Sequence, residues 1–253
     1  MITVTDVQRA KARSQIYAFL AQAFADPDAA TLAWLREMLP AAETALAMVG
    51  GTESRVALAA VCSEIGVLDE DELSAAHHRV FGHGVSGDCP PYEGEYGHPH
   101  IFQKTQSLAD NAGFLEAFGL APAPDLSDRL DHIAIELEFL HVLATKEAYA
   151  HAHNHGEERL AIVRDATRRY LKDHLGRWAP AFAARLESKA QDGPYAALAR
   201  LLAAFIAEET QALDVAPVPA AAAPFEPQPD DEVAICDGCA AASVFNFAMR
   251  GEP

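Results

Sequence analysis

The chain has 253 residues, of which half are hydrophobic, and a formal net charge of −18. That length and apolar content suffice for a sizeable core, in one large domain or two small ones. The negative charge argues against a nucleic-acid backbone as a partner, because phosphates are bound by Lys and Arg. It allows a basic partner, although solubility alone is the simpler explanation of the charge.

The sequence indicates a cytoplasmic protein. Residues Met1–Leu20 lack the separate apolar region and the small-residue cleavage site of a secretory signal. No segment reaches the roughly 18 consecutive apolar residues of a membrane span. Four cysteines are too few for a disulfide framework at this length. We therefore expect a soluble protein of the cytoplasm.

Apolar periodicity predicts several helices before residue 82. Alanine is abundant and runs of Val, Ile and Thr are scarce, which favours helix over sheet. The first helix ends at Asp26-Pro27, since proline cannot continue the hydrogen bonding of a helix interior. Asp69 is a candidate cap for the helix that ends at Phe81. The runs between them are Thr31–Leu39, Ala41–Met48 and Glu53–Ile65.

A long loop rich in glycine and proline follows, and the next helix is Ile101–Phe118. Long loops in compact domains are usually functional or disordered, and aromatic rings and carboxylates suit binding better than disorder. Both groups would suit a peptide with arginines, because a guanidinium pairs with carboxylates and stacks on rings. The alternative is a structural loop whose Tyr92 and Tyr96 pack onto the bundle. The candidate peptide-binding residues are Pro91, Tyr92, Glu93, Glu95 and Tyr96.

The segment Ser127–Tyr149 is the clearest helix, and it is apolar on most sides, which predicts a central position. Asp131 and His132 lie near its start, where the helix dipole favours an acid. Helix-end electrostatics for Asp131 and a half-buried core position for His132 are the structural alternatives to a binding role. Glu136 on this apolar helix is costly unless it is paired or faces a groove.

The remaining helical runs complete an all-α fold, a single helical bundle with a long Gly/Pro loop and an extended C-terminal tail. No run predicts a strand with any clarity. The expected organisation is a helical domain over residues 1–213, a Pro/Ala-rich linker over 214–231 and a tail over 232–253. The last predicted helices are Glu157–Leu175, Ala179–Ala190 and Pro194–Leu213.

The tail contains Cys236 and Cys239 at the spacing of a redox or zinc pair. A thioredoxin-type pair would need a βαβ setting, and a structural zinc site needs four ligands. Two free thiols are therefore the simpler interpretation, with metal binding as the alternative. No Walker loop, dinucleotide fingerprint or nucleophilic triad is present, so we expect neither catalysis nor a cofactor.

Two motifs together resemble the TorD/DmsD/NarJ family of cytoplasmic chaperones for molybdenum enzymes, and the resemblance extends from Arg13 to Phe205. The amino-acid sequences of Pro91–Tyr96 and Phe102–Asp110 are most similar to the branch that serves ethylbenzene dehydrogenase, dimethylsulfide dehydrogenase and chlorate or selenate reductase. The motifs are Leu73…Phe81-Gly82…Pro90-Pro91-Tyr92-Glu93 and Asp131-His132…Glu136-Leu137-x-Phe139-Leu140.

The resemblance implies an all-α chaperone, monomeric or homodimeric, for the catalytic subunit of an enzyme of the dimethyl sulfoxide reductase superfamily. It would bind the twin-arginine leader and the apoenzyme, assist molybdenum cofactor insertion and prevent premature export. Asp131 and His132 match the pair implicated in leader binding. A metal-binding Cys/His protein and a protein that binds guanine nucleotide or molybdopterin are the alternatives.

Overall fold

The computed structural model confirms an all-α bundle. It describes residues 4–82, 88–97, 101–123, 128–220 and 247–249. No helix within these ranges is long and apolar enough to cross a membrane. The helices are α1 (Val4–Phe24), α2 (Thr31–Val49), α3 (Thr52–Val67), α4 (Glu70–Phe81), α5 (Ile101–Ala117), α6 (Ile133–Ala152), α7 (Glu157–Asp173), α8 (Leu175–Ala190) and α9 (Gly193–Ala212), with one 3-10 turn at Glu93–Glu95.

Helix α6 is the centre of the bundle, as its apolar sequence predicts. It packs most extensively against α1 and also contacts α7 and α8. Leu137, Phe139, Leu140 and Leu143 are completely buried. Burying a leucine or phenylalanine side chain contributes about 1.5–3 kcal/mol, so this helix contributes strongly to the stability of the fold.

Helix α2 is continuous through Pro40, where the sequence predicted two separate helices. Proline removes one backbone donor but does not by itself prevent a helix from continuing. Leu35 before Pro40 and Leu46 after it are both buried, so packing of the same face holds the two halves in line. Tertiary burial here outweighs local propensity.

Helix α6 begins at Ile133, later than predicted, and Ser127 lies outside the described residues. His132 is its N-cap, with extended backbone and a side chain that accepts the Ala134 N–H at 3.1 Å. The prediction for α4 is confirmed, because Asp69 and Glu72 form a reciprocal capping box.

Two strands of three residues were not predicted. Strand β1 (Leu120–Pro122) pairs antiparallel with β2 (Phe247–Met249), so part of the tail returns to the end of α5. Isolated three-residue strands carry too little pattern for a sequence-based prediction.

The described part of the expected linker, residues 214–220, contacts the first turn of α8. The Ala220 N–H donates to the Arg177 carbonyl at 2.9 Å, and Arg177 Nε donates to the Val218 carbonyl at 3.3 Å. Cys236 and Cys239 lie outside the described residues. The division into helical domain, linker and tail stays a prediction.

Candidate functional site

The loop before α5 is bonded to the start of α6, so the two sequence motifs form one site. The Glu93 N–H donates to the Asp131 carbonyl at 2.9 Å, and the Ile133 N–H donates to the Pro91 carbonyl at 2.8 Å. Tyr92 and His132 form a bridge between these two bonds, with their ring centroids 5.2 Å apart. The backbone of the loop is therefore fixed by the residues that precede the central helix.

Asp131 is completely buried and bound on both oxygens. Arg129 forms a two-pronged pair with it, Nε to Oδ1 at 2.9 Å and Nη2 to Oδ2 at 2.7 Å. The Gly94 N–H also donates to Oδ2 at 3.0 Å. A Cβ at Gly94 would lie only 3.0 Å from both groups, so glycine lets the loop approach this ion pair.

Arg129 is held by three different interactions. Besides Asp131, its Nη1 lies 3.1 Å from Glu95 Oε1, and its guanidinium lies 4.7 Å from the centre of the Tyr92 ring. Lys104 also pairs with Glu95, at 2.7 Å. Carboxylates on the fork of a guanidinium and a ring against its face are the arrangement that favours arginine over lysine.

Glu93 points into the bundle. Its Oε2 accepts from Ser107 at 2.5 Å, from Asn111 at 3.0 Å and from the His174 ring at 3.1 Å. Burial alone would raise the pKa of Glu93, but the hydrogen bonds and charge from His174, with those from Ser107 and Asn111, outweigh burial and lower it. Glu93 is thus an ionised group that anchors the loop to α5.

Glu136 is buried completely, on the interior side of α6. Trp178 Nε1 donates to its Oε2 at 3.0 Å, and Oε1 has no hydrogen-bond partner among the described residues. Burial, with the nearby Glu93 charge, raises the pKa of Glu136 well above its ordinary value. Glu136 is therefore a neutral acid inside the bundle.

Tyr92 and Tyr96 pack down onto the bundle, with 9% and 8% of their surfaces exposed. Tyr92 donates its hydroxyl to Asp128 at 3.2 Å, and Tyr96 donates to the Pro90 carbonyl at 3.0 Å. The Tyr96 ring lies 5.2 Å from that of Trp178. This packing is what the structural alternative for the loop predicts, and a binding role for these residues stays a prediction.

Two buried histidines face this end of the bundle. Burial lowers the pKa of His132, against the opposing charges of Asp128, Asp131 and Asp26. Burial, together with His78 and His132, lowers the pKa of His77 to about 3. Both rings are therefore neutral near pH 7. Because Nδ1 of His132 accepts a backbone N–H, the proton of its neutral ring is on Nε2.

The cysteines of the described residues are not organised as a metal site. Cys89 is buried and Cys62 is partly buried, each as a free thiol. Burial raises the pKa of Cys89 to about 12, and burial with the nearby Glu43 raises that of Cys62 to about 11. Both are therefore protonated thiols, whereas metal binding needs the thiolate.

Sequence reasoning missed several partners of the predicted residues. Arg129 could have been found from its position beside Asp131, since oppositely charged neighbours often pair. His174 and Trp178 belong to a segment that the family resemblance includes, but their contacts cross the bundle and leave no local pattern. The residues missed are Ser107, Asn111, Asp128, Arg129, His174 and Trp178.

An all-α bundle is the fold that the resemblance implies. A family model described as "Nitrate reductase delta subunit" matches residues 22–184. The match covers more than half of the chain, so the chain belongs to this family, which is the TorD/NarJ-type family indicated by the sequence motifs. The matched residues contain both motifs of the site.

Curated relatives include proteins named "Chaperone protein TorD". One, from Vibrio cholerae serotype O1 (strain ATCC 39541 / Classical Ogawa 395 / O395), is 36% identical over 100 residues, which are 40% of this chain and 44% of that protein. One from Salmonella bongori is 26% identical over 209 residues, which are 74% of this chain and 90% of that protein. The match to the Vibrio relative thus spans less than half of its length. The relatives are named chaperones, in agreement with the expectation of a non-catalytic protein.

Proposed function

We propose that this protein is a chaperone for the catalytic subunit of a molybdoenzyme of the dimethyl sulfoxide reductase superfamily. It binds the twin-arginine leader and the apoenzyme in the cytoplasm, assists molybdenum cofactor insertion and delays export. Membership of the family and similarity to proteins named TorD support this proposal. We propose that the client belongs to the ethylbenzene dehydrogenase, dimethylsulfide dehydrogenase and chlorate or selenate reductase group, because the sequence of Pro91–Tyr96 is most similar to the branch that serves these enzymes.

The observation that carries the leader-binding part is the set of contacts around Arg129. This guanidinium has Asp131 on its fork, Glu95 beside it and the Tyr92 ring under it. Arg129 keeps about a third of its side chain exposed, whereas Asp131 is buried. An arginine that arrives from solvent can reach the same three groups if Arg129 moves aside.

We infer that Arg129 fills an arginine-binding position until a leader arginine replaces it. The second arginine would pair with Asp128, which is exposed and bonded to Tyr92. The net charge of −18 attracts a leader that begins with cations. Pro91, Glu93, Tyr96, His132 and Glu136 are then positioning residues, because they fix the backbone and rings around this position.

The test is an affinity pull-down with the full-length tagged protein, from its own cells while molybdoenzymes are being made. We expect recovery of one molybdoenzyme catalytic subunit with its leader still attached, and loss of that subunit when its leader is deleted. Equal recovery with and without the leader would contradict leader recognition. Recovery of no such subunit would contradict the chaperone function itself.

A further inference from the structure

Three side chains that could coordinate a metal ion lie close together where the end of α1 approaches α4. Asp26 follows α1, and His77 and His78 lie in the last turns of α4. One ligand atom from each of the three lies within 4.8 Å of the others. We propose that Asp26, His77 and His78 bind a divalent transition-metal ion of the Zn²⁺ type.

One pair in the cluster already has nearly the spacing of two ligands on one ion. Nδ1 of His77 lies 3.6 Å from Oδ1 of Asp26. Two ligand atoms of a tetrahedral zinc site, each about 2.0–2.1 Å from the metal, are roughly 3.3–3.4 Å apart. Only a few tenths of an ångström separate these two atoms from a shared coordination sphere.

A second, independent observation is the state of that ring nitrogen. His77 is 9% exposed, and its Nδ1 has no hydrogen-bond partner among the described residues. A buried polar atom without a partner is rare in folded proteins, and an absent ion is one of its ordinary explanations. A metal bound to Nδ1 would satisfy this atom.

The surroundings hold the buried ligand rigidly and leave the site accessible. The His77 ring lies 4.8 Å from that of Phe81 and 5.7 Å from that of Tyr195, so its orientation is fixed by packing. The Asp26 side chain is 79% exposed. Three protein ligands with one side open to solvent leave a fourth position for water or for a group of a partner.

The donor set selects the class of metal. Two imidazoles and one carboxylate suit zinc, nickel and copper, whereas calcium and magnesium prefer oxygen ligands alone. Bound metal would also fasten the turn after α1 to α4. The site includes none of the residues proposed to contact the leader arginines, so a zinc titration without leader tests it separately from leader binding.

The experiment is a calorimetric titration of Zn²⁺ into metal-free full-length protein carrying Cys236→Ser and Cys239→Ser, which removes competing thiols. The test variants add Asp26→Asn or His78→Ala. Asp26→Asn keeps the shape of an exposed side chain, so it preserves the fold. The matched control adds His153→Ala and His155→Ala, a pair of histidines at the end of α6 whose rings lie 5.8 Å apart.

We expect one Zn²⁺ per chain, bound at least about tenfold more weakly in Asp26→Asn and in His78→Ala, since loss of a direct ligand costs no less than loss of its support. The control should bind as tightly as its parent. Co²⁺ in place of Zn²⁺ should give the visible absorption of a four-coordinate site, which both test variants lose. Equal affinity in parent and test variants, no stoichiometric binding, or loss of binding in the control alone would overturn the proposal.

Discussion

Two groups of buried acids lie at opposite ends of α6, and they differ in how many of their acids pair with an arginine. The helix-side network consists of Arg13, Tyr17, Glu147, Arg164 and Glu209. In it Arg13 pairs with Glu147 at 2.9 Å and with Glu209 at 2.7 Å, and Arg164 pairs with Glu147 at 2.8 Å. Each buried acid of this network therefore has an arginine.

The loop-side cluster consists of Glu93, Glu95, Arg129, Asp131 and Glu136. Here Arg129 serves both Asp131 and Glu95, Glu93 is held by uncharged donors and a histidine, and Glu136 is neutral against Trp178. Guanidinium groups are scarce relative to acids in this cluster. The comparison teaches that an external arginine gains most at the loop side, because Glu147 and Glu209 of the helix-side network already pair with arginines of the fold.

The largest effect should come from breaking the helix-side network. Arg13→Ala leaves Glu147 and Glu209 buried with one charge partner fewer, and Tyr17 still bonded to Glu209. Removing one partner of a buried ion pair costs about 3–5 kcal/mol. Urea denaturation should show a loss of this size in the free energy of unfolding, and a loss below 1 kcal/mol would mean that the network is not a structural element.

A smaller effect should follow from Asp131→Asn on the loop side. This variant removes the charge that faces Arg129 and one acceptor of the Gly94 N–H, but Arg129 can turn to solvent. We expect a loss of about 2–3 kcal/mol in the free energy of unfolding. Faster amide exchange at Glu93 and Gly94, with α1 and α9 unchanged, would confirm that the damage stays in the loop. A loss spread over the whole bundle would contradict the separation of the two groups.

The variant Glu136→Gln tests whether the buried acid is neutral, through the pH dependence of the free energy of unfolding. The folded pKa of Glu136 is raised above its unfolded value, so its contribution to stability is present below about pH 4.5 and is lost as pH rises towards the folded pKa. Relative to the glutamine variant, wild type should lose up to about 1.4 kcal/mol per pH unit over that window. The two proteins should be about equally stable near pH 4, and parallel stability curves up to pH 8 would contradict a neutral Glu136.

The smallest effect is expected at a surface pair on α7. Arg169 and Asp165 lie 2.9 Å apart with 67% and 56% of their side chains exposed. Exposed pairs at this helical spacing contribute about 0.3–0.5 kcal/mol. Arg169→Ala should therefore change the midpoint of urea unfolding only slightly, which makes it the matched control for Arg13→Ala.

The sequence predicted the elements that depend on local pattern. The apolar faces of Ser127–Tyr149 predicted a central helix, and Asp69 was predicted as the cap of α4. The prediction of a helix end at Pro40 was wrong, because packing of residues on both sides of it keeps α2 continuous. Local rules describe the chain well where the deciding contacts are short-range.

The direction of the acids could not be predicted, because it depends on residues distant in sequence. Glu93 faces inward because Ser107 and Asn111 of α5 and His174 after α7 form hydrogen bonds with it. Glu136 is tolerated because Trp178 of α8 reaches it across the bundle. The sequence of a loop does not show whether its carboxylate binds a partner or forms hydrogen bonds within the protein.

The most direct test of leader recognition is a fluorescence-anisotropy titration of a labelled twin-arginine leader, taken from a molybdoenzyme of the same genome. The proteins compared are wild type, Asp131→Asn, Arg129→Ala and the control Glu158→Gln, an exposed acid on α7. Because Arg129 competes with the leader, we predict tighter binding to Arg129→Ala, weaker binding to Asp131→Asn and no change in the control. Replacing both leader arginines by lysine should abolish the gain of Arg129→Ala. Weaker binding to Arg129→Ala, or equal binding to wild type and Asp131→Asn, would contradict the account.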